Sequence, residues 1–145
     1  MIDDTFTGMD DLYRDFILDH YRNPRNAGTI EDADASFEDI NPLCGDKIRM
    51  DLKVRDGIVT DVKFRGRGCA ISQASASLLT EEIKGKPLAE ISKIGKEDVL
   101  ANMGINISAA RLKCALLGLK VLKEALALKY SPADADRENV SPREA

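Results

Sequence analysis

Tryptophan is absent from this chain, histidine occurs once, cysteine three times, and no apolar run is long. Each scarcity removes a class of function. A helix that spans a bilayer needs roughly 18 or more consecutive apolar residues, and no segment supplies them. The amino terminus carries Asp3 and Asp4 and no basic stretch leading into an apolar one, so no secretory signal is expected. The formal net charge is −4 with both signs interspersed, which lacks the basic footprint of nonspecific nucleic-acid binding. The expected compartment is the cytoplasm, where thiols stay reduced. Three cysteines far apart make a poor disulfide framework and a better metal or sulfur site. His20 is remote from every cysteine, which argues against a stand-alone cysteine hydrolase; at a helix end it reads as structural, not as a ligand.

What is present is enough chain for one core, 145 residues with ordinary apolar content. Residues 1–8 read as a disordered leader, 9–130 as the single domain, and the polar stretch 131–145, with Pro132 and Pro142, as a disordered tail. Met9, Leu12, Tyr13, Phe16 and Ile17 recur at helical spacing, and Asn23-Pro24 stops that helix near Arg22. Residues 47–55 alternate, with Ile48, Met50, Leu52 and Val54 on one face and Lys47, Arg49, Asp51, Lys53 and Arg55 facing water. A second strand from Ile58 to Arg65 would put Ile58, Thr60, Val62 and Phe64 on one face. The favoured register has a three-residue loop, Arg55-Asp56-Gly57, pairing Val54 with Ile58, Met50 with Val62 and Ile48 with Phe64. A strand near Ser36–Ile40 completes an antiparallel meander. Helices are predicted from after Cys69 to Ile83, with a stop at Gly85, over Leu88–Ile94 and Lys96–Met103, and from Ser108 to about Tyr130. The small residues from Ser72 to Ser77 permit close packing or the close approach of a partner.

The chemistry concentrates at Asn41-Pro42-Leu43-Cys44-Gly45-Asp46. Proline restricts the chain before the turn, and Gly45 permits a left-handed backbone, so Cys44 and Asp46 could converge on one small volume. Cys69 follows Gly66-Arg67-Gly68 just before a predicted helix, and Cys114 lies in the first turns of another. Helix amino-terminal ends favour the thiolate that binds metal. Three thiols and one carboxylate make four donors, the number needed by tetrahedral zinc or one end of an iron–sulfur cluster. Arg111 and Lys113 read either as a solvated helix face or as charges that favour a thiolate or bound persulfide at Cys114.

These residues resemble a known family. The 41–46 segment, the run from Gly66 to Ser72, and Arg111-Leu112-Lys113-Cys114 are similar to the three cysteine motifs of the iron–sulfur cluster assembly scaffolds. That family comprises the IscU, SufU and NifU amino-terminal-domain proteins. Leu12-Tyr13 and the run from Asp19 to Asn26 resemble the family's first helix and following loop. The resemblance spans about residues 10–130. It implies an α+β fold, a small three-stranded antiparallel sheet with helices packed on one side. It also implies a site of Cys44, Asp46, Cys69 and Cys114 holding a transient [2Fe–2S] cluster or Zn²⁺, with Cys114 as candidate persulfide acceptor and Gly45, Arg111 and Lys113 in support.

Within the family the chain departs from two patterns. Lys113 stands where the IscU branch has a histidine, giving a SufU-like third motif, while the interval from Cys69 to Cys114 is too short for the SufU insertion. Two functions follow as expectations. One is a scaffold that accepts sulfur from a cysteine desulfurase, binds iron, and passes a [2Fe–2S] cluster to apo iron–sulfur acceptor proteins. The other is a zinc-dependent sulfurtransferase that takes persulfide from the desulfurase and builds no cluster. Neither nucleic acid nor membrane is an expected partner, and a weak homo-oligomer is left open.

Overall fold

The structure, a computed structural model, describes residues 9–42 and 45–129. The leader 1–8, Cys44, and the tail 131–145 lie outside the described residues. Helix α1 (Met9–Arg22) leads into three strands, β1 (Ala35–Ile40), β2 (Lys47–Arg55) and β3 (Ile58–Arg67). Helices α2 (Ala70–Ile83), α3 (Leu88–Ile91), α4 (Lys96–Met103) and α5 (Ala109–Lys129) follow. The strands form one antiparallel sheet in the order β1-β2-β3. The α+β expectation holds, with α2 and α5 packed on one face of that sheet. Among the described residues no helix is long and apolar enough to cross a membrane.

Alternation in β2 supplies the inner face: Ile48, Met50 and Leu52 are fully buried and pack with Phe64, Leu79, Leu117 and Leu122 in one core. Each such side chain removed from water contributes roughly 1.5–3 kcal/mol. The outward face holds one exception to the sequence reading. Asp51, expected in water, is buried beneath the β1 side of the sheet. Its carboxylate accepts hydrogen bonds from the Ile30 N–H at 3.0 Å, the Ser36 hydroxyl at 2.8 Å and Arg49 Nε at 3.1 Å. Those three donors offset its desolvation and tie the loop before β1 to the sheet.

The hairpin register also differs from the expected one. The loop has two residues, pairing Arg55 with Ile58 and Val54 with Val59, in place of the three-residue loop that pairs Val54 with Ile58. Asp56 and Gly57 both take positive φ, 55° and 75°, as the hairpin turn matched to strand twist requires. A bulge then shifts the ladder, so that Lys53 faces Asp61, Leu52 faces Val62 and Met50 faces Phe64. Thr60 is the extra residue, and the bulge lets Val59, Val62 and Phe64 all reach the core while Ile58 stays exposed. The apolar pattern was compatible with either solution, and turn geometry decided between them.

Helix α2 is the spine of the helical layer. Every residue from Ser72 to Ser77 is buried, and the small side chains serve close packing on both sides. A Cβ at Gly118 of α5 would come within 3.3 Å of the Ala76 Cα, so the two backbones nearly touch there. The Ser75 hydroxyl donates to the Ala115 carbonyl at 2.7 Å across the same contact. On the other side α1 presents Ile17 to Ala74 and Met103. His20, also on α1, shares a 2.7 Å hydrogen bond with the Ser77 hydroxyl. Leu12, Tyr13 and Phe16, read as part of an apolar stripe, remain substantially exposed, whereas Ile17 and His20 of the same helix are buried. After α1 the chain is pinned to α2: the Arg25 N–H donates to Ser77 Oγ at 2.9 Å and Asn26 Nδ2 to Thr80 Oγ1 at 3.1 Å. Helix α3 ends at Ile91, short of the expected Ile94.

Candidate metal centre

The site lies where the loop before β2, the end of β3 and the start of α5 meet. Two backbone hydrogen bonds close the neck of the 41–46 loop, Asn41 N–H to the Asp46 carbonyl and Gly45 N–H to the Asn41 carbonyl, both 2.7 Å. Gly45 takes φ +78° with open space around the position a Cβ would occupy, so its role is conformational. That neck aims the Asp46 side chain inward. The residue is only 1% exposed, and its Oδ1 accepts the Cys69 N–H at 2.9 Å while Oδ2 lies 3.5 Å from Cys69 Sγ.

Cys69 is the N-cap residue of α2, in extended conformation, with its carbonyl accepting the Gln73 N–H at 3.2 Å. The capping position places the thiol at the amino-terminal end of the helix, beside the Asp46 carboxylate. Gly68, which sequence reasoning did not single out, makes this possible. Its φ is +141°, and a Cβ added there would collide with the Asp46 carboxylate and backbone. The signal available in the sequence was the glycine immediately before the thiol. Cys114 sits in the second turn of α5, 2% exposed, one residue from the Ala115 carbonyl that Ser75 grips. The α2–α5 contact therefore sets where its sulfur lies.

The outcome is convergence: ligand atoms of Asp46, Cys69 and Cys114 all lie within 4.8 Å of one another. Neighbouring donors of a tetrahedral zinc are about 3.5–3.8 Å apart, given Zn–S near 2.3 Å and Zn–O near 2.0 Å. The spacing, the buried carboxylate and the two adjacent thiols fit a cation of that size. Of the predicted set, the structure brings these three together, and Cys44 lies outside the described residues. Arg111 and Lys113 are exposed on α5. Lys113 lines an open groove of about 340 Å³ beside the site, with Ile40, Pro42, Leu116 and Lys120. Lys120 bonds Asp39 of β1 at 2.6 Å, which holds the Asp39 carboxyl below its usual range and raises the Lys120 ammonium. This surface pair links α5 to β1 at the edge of the groove.

His20 stands apart from this centre. It is 1% exposed against Phe16 and Ser77, and burial pushes its pKa below the ordinary value, with Arg25 adding to the effect. Its place is the α1–α2 contact, as a structural histidine.

Comparison with known proteins agrees with this architecture. Residues 12–135 match the NifU-like N terminal domain. The chain is 43% identical over 136 residues to the zinc-dependent sulfurtransferase SufU of Bacillus subtilis, covering 82% of this chain and 92% of that one. It is 40% identical over 131 residues to the iron–sulfur cluster assembly scaffold protein IscU of Thermotoga maritima, covering 79% and 92%. Among solved structures it superposes with a TM-score of 0.64, at 32% identity, on a SUF-system protein of Fervidobacterium islandicum proposed as a cluster assembly scaffold; 82% of this chain and 99% of that one are covered. With fold, motif order and sequence in agreement, this chain belongs to the NifU-like N-terminal domain family of iron–sulfur cluster assembly proteins.

Proposed function

We propose that this protein is a cytoplasmic scaffold on which a [2Fe–2S] cluster is assembled and from which it passes to apo-proteins, with Cys44, Asp46, Cys69 and Cys114 as its ligands. The observation that carries the reading is the meeting of one carboxylate and two thiols within 4.8 Å in a chain of this family. Thiolates are soft ligands that hold iron firmly, whereas a carboxylate is harder and weaker toward these irons. A mixed set therefore binds the cargo and leaves one coordination position labile. A cysteine desulfurase delivers sulfur as a persulfide, and the outer sulfur moves to a site thiolate, Cys114 being the candidate, while the donor cysteine departs as thiolate. The exposed charges of Arg111 and Lys113 support an anionic sulfur at that end of α5.

A second reading is favoured by one specific feature. Lys113 precedes Cys114, and the Bacillus subtilis relative, 43% identical, is named a zinc-dependent sulfurtransferase. Zn²⁺ held by the same donors would supply positive charge that keeps the thiols deprotonated. One cysteine of the site would then accept and pass on the persulfide sulfur, with no cluster built.

Anaerobic reconstitution with iron, cysteine and a desulfurase separates the two. The scaffold reading expects a visible absorbance that decays when an apo-ferredoxin is added. Asp46→Ala should still assemble the cluster but release it more slowly, because the ligand an acceptor displaces has changed. Cys69→Ser, Cys114→Ser and Cys44→Ser should each lose the cluster, since a hydroxyl is a poor substitute for thiolate at iron. If the wild type never forms a transferable cluster while its zinc form accelerates the desulfurase, the sulfurtransferase reading replaces the scaffold.

A further inference from the structure

The water-facing side of the β2–β3 ladder carries an arrangement that folding alone does not favour. Lys47 lies directly opposite Arg67, and Arg49 directly opposite Arg65. Like charges facing each other across a strand pair are destabilising. Anions on the β1 and β2 side offset only half of the set: Glu38 pairs with Lys47 at 3.2 Å and the buried Asp51 with Arg49 at 3.1 Å. Arg65 and Arg67 are exposed and form no salt bridge with another described residue. Lys47, Arg65, Gly66 and Arg67, with Glu38, line a shallow pocket of about 250 Å³. The chain as a whole is acidic, with a formal net charge of −4, so this concentration of cations is local.

Its position gives it a use. Arg67 is two residues before Cys69, which is half-buried, whereas Cys114 is buried. A partner held by these cations lies at the more open of the two described thiols. We propose that Lys47, Arg49, Arg65 and Arg67 form a docking surface for an acidic acceptor protein, which engages the outer face of the sheet and receives its cargo past Cys69. The occupant is argued from charge complementarity: carboxylates would pair with Arg65 and Arg67, the two cations of the set that form no salt bridge with another described residue. A nucleic acid is disfavoured by the net negative charge of the molecule, which repels a long polyanion beyond the patch. The choice of an acceptor as partner rests on the functional reading above; the cationic surface itself does not.

The test uses the full-length zinc-loaded protein, ¹⁵N-labelled, titrated with an acidic apo-ferredoxin. Binding is read from amide shifts and needs no cluster, so its outcome is independent of whether the protein transfers one. The expected result is perturbation centred on Lys47, Arg49, Arg65, Arg67 and Cys69, weakening as salt rises. Arg65→Glu with Arg67→Glu should weaken binding by about tenfold or more with no fall in melting temperature or zinc content, and Arg65→Lys with Arg67→Lys should retain it. Absence of binding, shifts centred instead on Leu12 and Phe16 or on Ile40 and Leu116, or unaltered binding by the glutamate variant would each overturn the proposal. So would equal binding of a single-stranded oligonucleotide at physiological salt, which would mark a general polyanion surface. If the ferredoxin binds as expected yet no transferable cluster ever forms, the scaffold reading fails and the docking surface stands.

Discussion

At the turn end of the β2–β3 ladder, Asp56 and Gly57 adopt two consecutive positive φ angles and the chain reverses within its own neighbourhood. At the other end Asp46, Cys69 and Cys114 meet within 4.8 Å although three different elements carry them. The first end costs only the preference of two residues for a left-handed backbone. The second needs the neck of the 41–46 loop, the side-chain-free space at Gly68 and the backbone contact of Gly118 with α2, all at once. A locally determined turn tolerates change, since neighbouring residues absorb it. A site assembled from distant segments transmits any displacement of one segment to every ligand atom.

The largest break in that contrast should come from Gly68→Ala. The positive φ costs about 1–3 kcal/mol for a residue with a side chain, and the new methyl would also push the Asp46 carboxylate away from Cys69. Zinc affinity, measured by competitive chelation, should fall by about 10–100-fold, the usual effect of disturbing groups that orient ligands. An alanine variant with wild-type zinc affinity would show that the Gly68–Asp46 contact does not organise the site.

A second long-range contact, His20 with Ser77, sharpens the comparison through pH. Burial lowers the folded-state pKa of His20, so its neutral form is the one the fold accepts. The contribution is fully present above the unfolded value, about 6.5, and is lost as pH falls from there through the lowered folded value, because the unfolded chain takes up the proton first. The melting temperature of the metal-free protein should therefore decline between about pH 7 and 5, and His20→Gln should flatten that decline. An identical pH profile for the variant would assign the acid sensitivity to other groups.

The smallest effect is expected at the turn. Gly57→Ala places a side chain at φ 75° and should cost about 1 kcal/mol in urea unfolding, with zinc affinity unchanged. A large loss of zinc affinity from this substitution would mean that the two ends of the ladder are coupled after all.

The pattern of what could be read from residues alone follows the same division. Helix α1 and strand β2 lie at their expected bounds, because each is announced by its own periodicity and by a turn signal just after it, Asn23-Pro24 and Asp56-Gly57; helix α4 also lies at its expected bounds. The hairpin register differs from the expected one because apolar alternation fits a longer loop as well as a tight turn followed by a bulge at Thr60. Asp51 departs from expectation since a charged residue on the outward face of a strand signals water, unless loop and neighbouring-strand donors such as Ile30 and Ser36 cover it. The small residues in α2 are compatible with close packing or with a partner, and Gly118 and Ala115 of α5, distant in sequence, are what pack against them.

By itself the sequence determined the donor types, their order, the helices and strands that carry them, and the glycine and proline positions that bend the chain around them. These are properties of a residue and its near neighbours, where dihedral preference and period suffice. Only the tertiary structure decided that Asp46 lies under Gly68 against the Cys69 amide, that Cys114 faces the same volume, and that Lys47 and Arg49 stand opposite Arg67 and Arg65. Each depends on register or on helix-to-helix distance. Those quantities follow from how the whole core packs, and no local stretch of the chain contains them.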